Sequence, residues 1–417
     1  MSLHASNAGR ASGPSIRKEG AMGATHMLST ITAKDALGVA KFGALLLPSL
    51  GVRLANKLRG VRVWLVSEHE TARDNGYVFF RYLRENHPEI RAYYAMDKAD
   101  AGYEKVRPLG NVVQWASWKH YLLYMVSDWN VSSHKNGVPN HALFTFLQRV
   151  LGRYDKFVFL QHGITYLDNP MFYAKNCLFR MFVCGAKPEF DHISQRYGYR
   201  RSEVCFTGFP RFDLLHDAQK DDSMILFMPT WRRWITSEED LLQSGYFKAV
   251  QAILNDKDLD DALGRTGRHM WFYVHAGFWR FSHLFGTSCE NIAVLDPHTC
   301  DIQDLLRTGA LLITDYSSVF FDFAYQHKPV IYYQFDLDEF QDRHIGSAES
   351  YFDYEEDGFG PVVRSREALV AAVEKQIECG FQMDERYRER TERFFPLHDK
   401  RNCERVYQEI VHMEHGA

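Results

Sequence analysis

Two histidines follow short apolar runs that are typical of buried parallel strands. His162 follows the run Phe157–Gln161, and His275 ends the run 270–275. A histidine at the carboxyl edge of a sheet can titrate near neutral pH and act as a general base. Gly163, next to His162, allows a sharp turn of the backbone there. One such histidine in each half of the chain predicts that both face a common cleft.

A pair of serines follows a third apolar run. Leu311–Thr314 predicts a buried strand, Asp315 opens a polar break that contains Ser317 and Ser318, and residues 319–326 have helical spacing. Serines at a helix start can cap its free N–H groups, and the helix terminus carries partial positive charge. Two hydroxyls placed there predict a phosphate cradle. The alternative is that one serine serves only as an N-cap.

Further polar residues follow the run Met224–Met228. Thr230 and Arg232 could hold a phosphate, the arginine by charge-assisted hydrogen bonds, although an exposed basic turn is the alternative. Gly208–Asp213 is predicted to be a rigid linker with an Arg–Asp pair. Asp336 and Asp338 are spaced like a metal-binding pair, but a hard cation needs further oxygen ligands nearby. We therefore predict neither a metal nor another cofactor.

Apolar runs of strand length alternate with helical patterns through the rest of the chain, which predicts parallel sheets. The rhythm restarts after residue 207, so we expect an α/β protein with two doubly wound, Rossmann-like domains. The predicted divisions are residues 1–60, a flexible tail and a membrane-surface helix; 61–207, an acceptor-side domain; and 208–417, a nucleotide-binding domain. The last helical stretch, Arg401–His412, is expected to cross back to the first domain. The predicted strands are Val61–Val66, Arg91–Met96, Asn130–Ser133, Phe157–Gln161, Phe182–Gly185, Val204–Thr207, Met224–Met228, Met270–His275, Ile292–Leu295, Ala310–Thr314 and Val330–Tyr333.

Composition narrows the class of protein and its location. The 417 residues are 46% hydrophobic and 24% charged, as in packed globular proteins, and the net charge of −4 argues against a nucleic-acid binder. Seven scattered cysteines without CxxC spacing indicate reduced thiols in the cytoplasm. Residues 36–60 combine an apolar run with four basic residues and no acid, which suits an anionic membrane surface. The alternative is a helix packed on the first domain.

Several motifs together resemble the CDP-glycerol glycerophosphotransferase family, which includes teichoic-acid primases and polymerases and related capsule polymerases. The resemblance covers about residues 61–410 and implies a GT-B architecture. It identifies His162 and His275 as catalytic and Ser317 and Ser318 as pyrophosphate-binding, flanked by Asp315 and Asp322. The sequence departs from the family where Ala276, rather than proline, follows the second histidine. The matching motifs are DNGYVFFRYL, QHGITY, TGFPRFD, MPTWR, YVH, LLITDYSSVFFDFA and KPVIYYQFDLDEF.

The resemblance implies transfer of a glycerol-phosphate or related polyol-phosphate unit from a CDP-activated donor to an acceptor hydroxyl, with release of CMP, in cell-wall or capsule polymer synthesis. The expected partners are CDP-glycerol or a related CDP-polyol, a glycan or lipid-linked acceptor and an anionic membrane surface, with no nucleic acid. The expected location is the inner face of the cell membrane. Two alternatives stay open: a GT-B glycosyltransferase that uses a CMP- or UDP-sugar, and a non-catalytic scaffold that binds glycan or lipid.

Overall fold

Two parallel β-sheets organise the chain in the computed structural model. The structure describes residues 32–415 except 70, 152–155, 178, 218, 297–298 and 346–348, so the predicted flexible tail at residues 1–26 lies outside it. The first sheet has the order β3-β2-β1-β4-β5-β6-β7 and the second the order β10-β9-β8-β11-β12-β13. The strands are β1 Arg62–Ser67, β2 Ile90–Met96, β3 Val112–Gln114, β4 Trp129–Ser132, β5 Phe157–Phe159, β6 Met181–Cys184, β7 Val204–Phe206, β8 Asp221–Phe227, β9 His269–Tyr273, β10 Ile292–Leu295, β11 Gly309–Thr314, β12 Val330–Tyr333 and β13 Val362–Val363.

The predicted α/β class with two doubly wound sheets is confirmed. Every predicted strand overlaps an observed one, and all neighbouring strands pair in parallel. All six residues of β11 are buried, because helices and loops cover both faces of the sheet. A strand covered on both faces has a continuous apolar run, which made these strands recognisable. The prediction missed β3 and β13, which have three and two residues and are edge strands of their sheets.

Helices connect consecutive strands, as parallel pairing requires. They are α1 Ala33–Leu58, α2 Asn75–Asn86, α3 Tyr103–Val106, α4 Trp118–Val126, α5 His141–Leu151, α6 Lys187–Arg196, α7 Glu238–Gln243, α8 Gly245–Leu254, α9 Lys257–Thr266, α10 Ile302–Thr308, α11 Val319–Tyr325, α12 Leu337–Phe340, α13 Arg366–Glu378, α14 Glu385–Phe394 and α15 Asn402–His415. Two 3-10 segments, Pro210–Leu214 and Ala276–Leu284, follow β7 and β9.

The order of each sheet reverses at one point. In the first sheet β1 lies beside β4, and in the second β8 lies beside β11, with the remaining strands progressing outward on either side. Doubly wound sheets bind ligands at the carboxyl ends of the strands next to such a reversal. The topology therefore directs attention to the loops after β1, β4, β8 and β11.

The last helix packs against the first sheet. In α15, the carboxylate of Glu414 accepts hydrogen bonds from Arg62 at 2.6 Å and from the indole of Trp129 at 2.7 Å. The ring of Tyr407 in the same helix lies 5.8 Å from that of Trp64. The division of the chain into domains at residue 207 stays a prediction.

Helix α1 packs one face on helices α4 and α5 and exposes the other. Phe42 meets Phe144 edge-on at 5.8 Å between ring centroids, and the ammonium of Lys41 donates to the carbonyl of Ala116 at 2.7 Å. Among the described residues, α1 is the helix long and apolar enough to cross a membrane, with a mean hydropathy of 1.4. Only 11% of that apolar stretch is buried within the protein. Its exposed apolar side chains include Leu37, Val39, Leu47, Leu50, Leu54 and Leu58.

Candidate active site

A cleft with a volume of about 400 Å³ lies between the carboxyl ends of the two sheets. The loops that line it follow β1, β4 and β5 of the first sheet and β8, β9 and β11 of the second. This is the edge at which both topological reversals occur, so residues far apart in the chain meet there. The polar residues of the lining include Glu68, Arg73, Asp74, His134, His162, His275, Gln303, Ser317 and Ser318.

His162 is aimed into the cleft by an unusual backbone conformation at the preceding residue. Gln161 has a φ of 61°, in the left-handed region that non-glycine residues rarely adopt. Its side-chain amide donates to the carbonyl of Val183 at 2.7 Å and to Glu189 at 3.0 Å, and these bonds hold the conformation. Backbone strain of this kind is concentrated at functional sites.

The imidazole of His162 is suited to accept a proton at neutral pH. It is exposed to the cleft, and it stacks on the ring of His134 with centroids 4.7 Å apart. The surrounding protein lowers the pKa of His162, while the nearby carboxylate of Asp74 opposes that shift. The neutral form therefore prevails at pH 7, as a general base requires.

Gly163 was predicted to allow a sharp turn of the backbone, but the structure gives it a different role. The left-handed backbone lies at Gln161, and Gly163 is not among the described glycines with positive φ. A Cβ built on Gly163 would lie 3.1 Å from the hydroxyl oxygen of Ser318. Glycine is therefore favoured because the loop after β5 closely approaches the loop after β11. This contact brings the predicted histidine and serine motifs together.

Ser317 and Ser318 both line the cleft. Ser318 occupies the N-cap position of α11, but its side chain makes no capping hydrogen bond. The alternative role as a simple N-cap is therefore not what the structure shows. The hydroxyl of Ser318 is directed toward Gly163 instead, where it can meet a ligand.

His275 lines the opposite wall and caps the 3-10 segment that follows it. Its Nδ1 accepts a hydrogen bond from the N–H of Gly277 at 3.1 Å, so the neutral ring carries its proton on Nε2. Burial lowers the pKa of His275 to about 4, although Asp315 opposes the shift. At neutral pH the ring is thus an uncharged hydrogen-bond donor. The capping bond orients His275 although Ala276 replaces the proline of the family.

Thr230, Arg232 and Asp315 lie beneath the cleft rather than on its surface. The guanidinium of Arg232 has 0% exposure and binds Asp315 at 2.8 Å and Asp336 at 2.7 Å. It also donates to the carbonyl of Thr230 at 2.6 Å, and the N–H of Thr230 donates to Asp315 at 2.7 Å. This network ties the loop after β8 to the loop after β11. Arg232 is thereby neither the predicted phosphate ligand nor an exposed basic turn.

Asp322 also has a supporting position. Its two carboxylate oxygens accept from Nε and Nη2 of Arg211 at 3.0 and 2.7 Å, and Nη1 of the same arginine binds Asp74 at 2.8 Å. Burial raises the pKa of Asp322, and Arg211 opposes that shift. Asp213 instead accepts from the first N–H groups of α15. The predicted Arg–Asp pair within the linker is therefore wrong, because Arg211 and Asp213 bind other partners and so connect the linker to distant parts of the chain.

The sequence prediction missed Arg73, Asp74 and His134 as cleft residues. Arg73 is the one lysine or arginine among the described residues that line the cleft, and its pair with Asp100 is long, at 3.5 Å. These residues lie in the loop after β1 and the loop after β4. Both strands were predicted, so a search of the loops at the reversal of the sheet order would have found them.

Known proteins resemble this chain in sequence and in fold. The model of the CDP-glycerol:poly(glycerophosphate) glycerophosphotransferase family matches residues 50–412. The minor teichoic acid biosynthesis protein GgaB of Bacillus subtilis (strain 168) is 29% identical over 85% of this chain. The teichoic acid poly(glycerol phosphate) polymerase of the same strain is 25% identical over 82% of it. The chain spans only 40% and 47% of the lengths of these relatives.

Solved structures show the same fold. The wall teichoic acid polymerase TagF superimposes with a TM-score of 0.62 at 15% identity, over 92% of this chain and 98% of that one. A TagF variant soaked with CDPG gives a TM-score of 0.65 at 16% identity, with the same coverage. The predicted GT-B architecture is thereby confirmed.

Proposed function

Because the chain belongs to the CDP-glycerol:poly(glycerophosphate) glycerophosphotransferase family, we propose that it transfers a polyol-phosphate unit from a CDP-activated donor to an acceptor hydroxyl. The observation that carries this proposal is the meeting of His162 and Ser318 across Gly163 at one cleft. A proton acceptor and a set of phosphate-binding hydroxyls on facing loops suit phosphoryl transfer. The relatives named for teichoic acid biosynthesis and teichoic acid polymerisation support a product of that polymer class.

The donor is assigned to the second-sheet side of the cleft. The hydroxyls of Ser317 and Ser318 and the Nε2–H of neutral His275 can donate to pyrophosphate oxygens. Arg73 supplies the positive charge from the loop after β1, and charge-assisted bonds to phosphate are the strong ones. Arg232 and Asp315 act indirectly, because they hold the serine loop in position. CDP-glycerol is the favoured donor, and CDP-ribitol is a close alternative.

The transfer is a substitution at the β-phosphorus of the donor. The acceptor oxygen forms a bond to that phosphorus, and the bond between the phosphorus and the bridging oxygen of the pyrophosphate breaks. CMP leaves with the electron pair of the broken bond. His162 takes the proton of the acceptor hydroxyl. Positioning and electrostatic stabilisation supply most of the catalysis in phosphoryl transfer. His275 contributes by donating to the phosphoryl oxygens.

The acceptor is proposed to be a glycan or lipid-linked chain at the cytoplasmic face of the membrane. The exposed apolar face of α1, with Leu47 and Leu58 about 80% and 79% exposed, suits contact with lipid. Arg53 and Lys57, exposed on the same helix, suit anionic headgroups. These features favour a protein that works on the membrane surface.

The decisive experiment combines donor choice with replacement of His162. CDP-glycerol, CDP-ribitol and UDP-sugars are supplied with bacterial membranes as acceptor, and release of CMP or UDP is followed. We expect CMP from a CDP-polyol, and His162→Ala should lose about two orders of magnitude in turnover, the typical contribution of a positioned base. CMP affinity and melting temperature should be nearly unchanged, because the proposed donor contacts come from Ser317, Ser318, His275 and Arg73 rather than from His162.

The matched control is His283→Ala, which removes an exposed histidine on the segment after β9. Its turnover should equal that of the wild type. Release of UDP from a UDP-sugar would favour a glycosyltransferase, and no release from any donor would favour a scaffold. A folded His162→Ala protein with near-normal turnover would remove the base from the mechanism.

A further inference from the structure

A cavity of about 670 Å³ lies at the outer edge of the first sheet and shares no lining residue with the catalytic cleft. Residues of α6, of the edge strand β7 and of α15 line it. Arg180 and Arg201, which also line it, stand just before β6 and β7 begin. Both arginines therefore lie at the amino edge of the sheet, opposite the carboxyl edge that carries His162.

The guanidinium groups of Arg180 and Arg201 lie near one point of the cavity, the thiol of Cys205. Burial and Glu409 raise the pKa of that thiol to about 12. Both guanidinium groups oppose the shift, which requires each of them to lie close to the thiol. Arg201 also stacks on the ring of Phe190 at 4.3 Å, and this cation–π contact holds its side chain in place. Arg180 is half-buried and Arg201 is exposed, so both remain open to a ligand.

Neither arginine has a carboxylate partner. Arg180 and Arg201 form no ion pair with any of the described residues. Lys187 lines the same cavity but is paired with Asp191, and Glu409 is the carboxylate of the lining. Two unpaired cations against one carboxylate attract an anion. Arginine suits phosphate in particular, because its planar fork donates two hydrogen bonds to neighbouring oxygens.

Apolar side chains complete the lining of the cavity. A free inorganic anion would leave their surface in water, whereas a phosphate attached to an apolar group would cover it. Two cations beside an apolar surface thus match an amphiphile with a phosphate headgroup. The apolar side chains are Phe190, Val204, Phe206 and Met413.

Basic residues continue from the cavity toward the exposed helix α1. Lys156 directly precedes β5, and Arg180 donates its N–H to the first residue of that strand at 2.8 Å. Burial lowers the pKa of Lys156 to about 8, and Arg53 of α1 adds to that shift although Asp128 opposes it, so Arg53 lies close by. Helices α1 and α6 also pack on the same face of the sheet. A basic band formed by Arg53, Lys156, Arg180 and Arg201 therefore connects α1 with the cavity.

We propose that this cavity binds the phosphate headgroup of an anionic membrane lipid. Arg180 and Arg201 bind the phosphate oxygens, and the apolar lining contacts the start of the acyl chains. The exposed apolar face of α1 enters the same membrane, so the lipid site supplies a second contact that restricts how the protein rotates on the surface. The inference goes beyond the proposed reaction, because a lipid bound here is neither donor nor acceptor.

A short-chain, water-soluble lipid tests the site without a membrane. Dihexanoyl phosphatidylglycerol is titrated into the full chain by calorimetry, below the concentration at which it forms micelles. We expect Arg180→Gln/Arg201→Gln to weaken its binding by about tenfold or more, the effect of losing charge-assisted bonds. The control Arg265→Gln removes an exposed arginine of α9 and should bind like the wild type. Glycerol 3-phosphate, which lacks the acyl chains, should bind more weakly than the lipid.

The same titration separates the cavity from α1. Leu47→Glu, on the exposed face of α1, should bind the short-chain lipid like the wild type, because Leu47 does not line the cavity. A loss in this variant equal to that of the double arginine variant would assign the lipid to α1 and overturn the inference. Melting temperatures distinguish lost binding from lost folding. Should the double variant fail to fold, Arg201→Gln alone, at an exposed side chain, should still lose part of the affinity.

Three further results would overturn the inference. They are a short-chain lipid that does not bind the wild type, equal lipid affinity in the wild type and the folded arginine variants, and glycerol 3-phosphate that binds as tightly as the lipid. The last result would make the cavity a site for a soluble phosphate compound. None of these measurements depends on turnover, so they stand apart from the test of the transfer reaction.

Discussion

Replacing Arg232 by methionine should destabilise the fold around the second sheet, not merely weaken donor binding. The guanidinium has 0% exposure, and its two carboxylate partners, Asp315 and Asp336, are 0% and 8% exposed. Methionine keeps much of the apolar stem but leaves both carboxylates without their counter-ion. Removing one partner of a buried ion pair costs about 3–5 kcal/mol.

The expected loss lies toward the lower end of that range. Asp315 keeps the N–H bonds from Thr230 and Tyr316, and the slight exposure of Asp336 lets water reach its carboxylate. We therefore expect about 3 kcal/mol at pH 7, on the order of a hundredfold in the ratio of folded to unfolded protein. The loss should shrink as the pH falls, because the stranded carboxylates can then be neutralised by protonation.

Urea unfolding followed by tryptophan fluorescence measures this loss, with calorimetry of CMP binding on the same samples. Arg232→Lys should recover only part of the stability, because a lysine cannot form the bidentate contact with Asp336. The double variant Arg232→Met/Asp336→Asn should be more stable than the single one, since it removes one stranded charge. A single variant that unfolds like the wild type but binds CMP tenfold more weakly would refute the reasoning and make Arg232 a phosphate ligand.

Three further predictions concern the donor, the membrane and pH. Replacing both Ser317 and Ser318 by alanine should weaken CDP-glycerol binding by about tenfold. The melting temperature should not change, because the Ser318 side chain makes no capping hydrogen bond in the fold. Unchanged affinity in calorimetry would contradict this prediction. The wild type should sediment with anionic liposomes, and the sedimented fraction should fall as the salt concentration rises. Leu47→Glu on the exposed face of α1 should sediment less than the wild type. Equal sedimentation of the two proteins would show that this face does not contact lipid. Burial lowers the pKa of His120 to about 3, so the folded state resists its protonation and stability should fall by about 2 kcal/mol between pH 7 and pH 5. Urea unfolding of His120→Asn should lack that part of the loss, and identical pH dependence in both proteins would contradict the assignment.

The catalytic candidates could be found from local sequence because each follows a strand in the chain. A continuous apolar run marks a parallel strand covered on both faces, and the polar residue after it marks the carboxyl edge of the sheet. That rule located His162, His275 and the serine pair, and the structure places all of them on one cleft. The same rule applied after β1 and β4 would also have found Arg73 and His134.

The partners that the charged residues bind could not be predicted from the local sequence. Arg232 and Asp315 are 83 residues apart, and Arg211 and Asp322 are 111 apart, yet each pair is buried in direct contact. An arginine in a polar loop has the same local signature whether it faces a phosphate or a distant carboxylate. Which of these occurs depends on the approach of two loops from different strands.

The sequence alone thus determined the class of fold, the positions of most strands along the chain, and three of the loops that line the cleft. Local patterns suffice for this because strand burial and strand ends are properties of neighbouring residues. The tertiary structure decided that Gly163 is needed for its approach to Ser318, that Arg232 and Asp322 support the cleft from below, and that Arg180 and Arg201 line one cavity. These outcomes rest on contacts between segments distant in the chain, where burial and charge pairing, rather than local propensity, set the free energy.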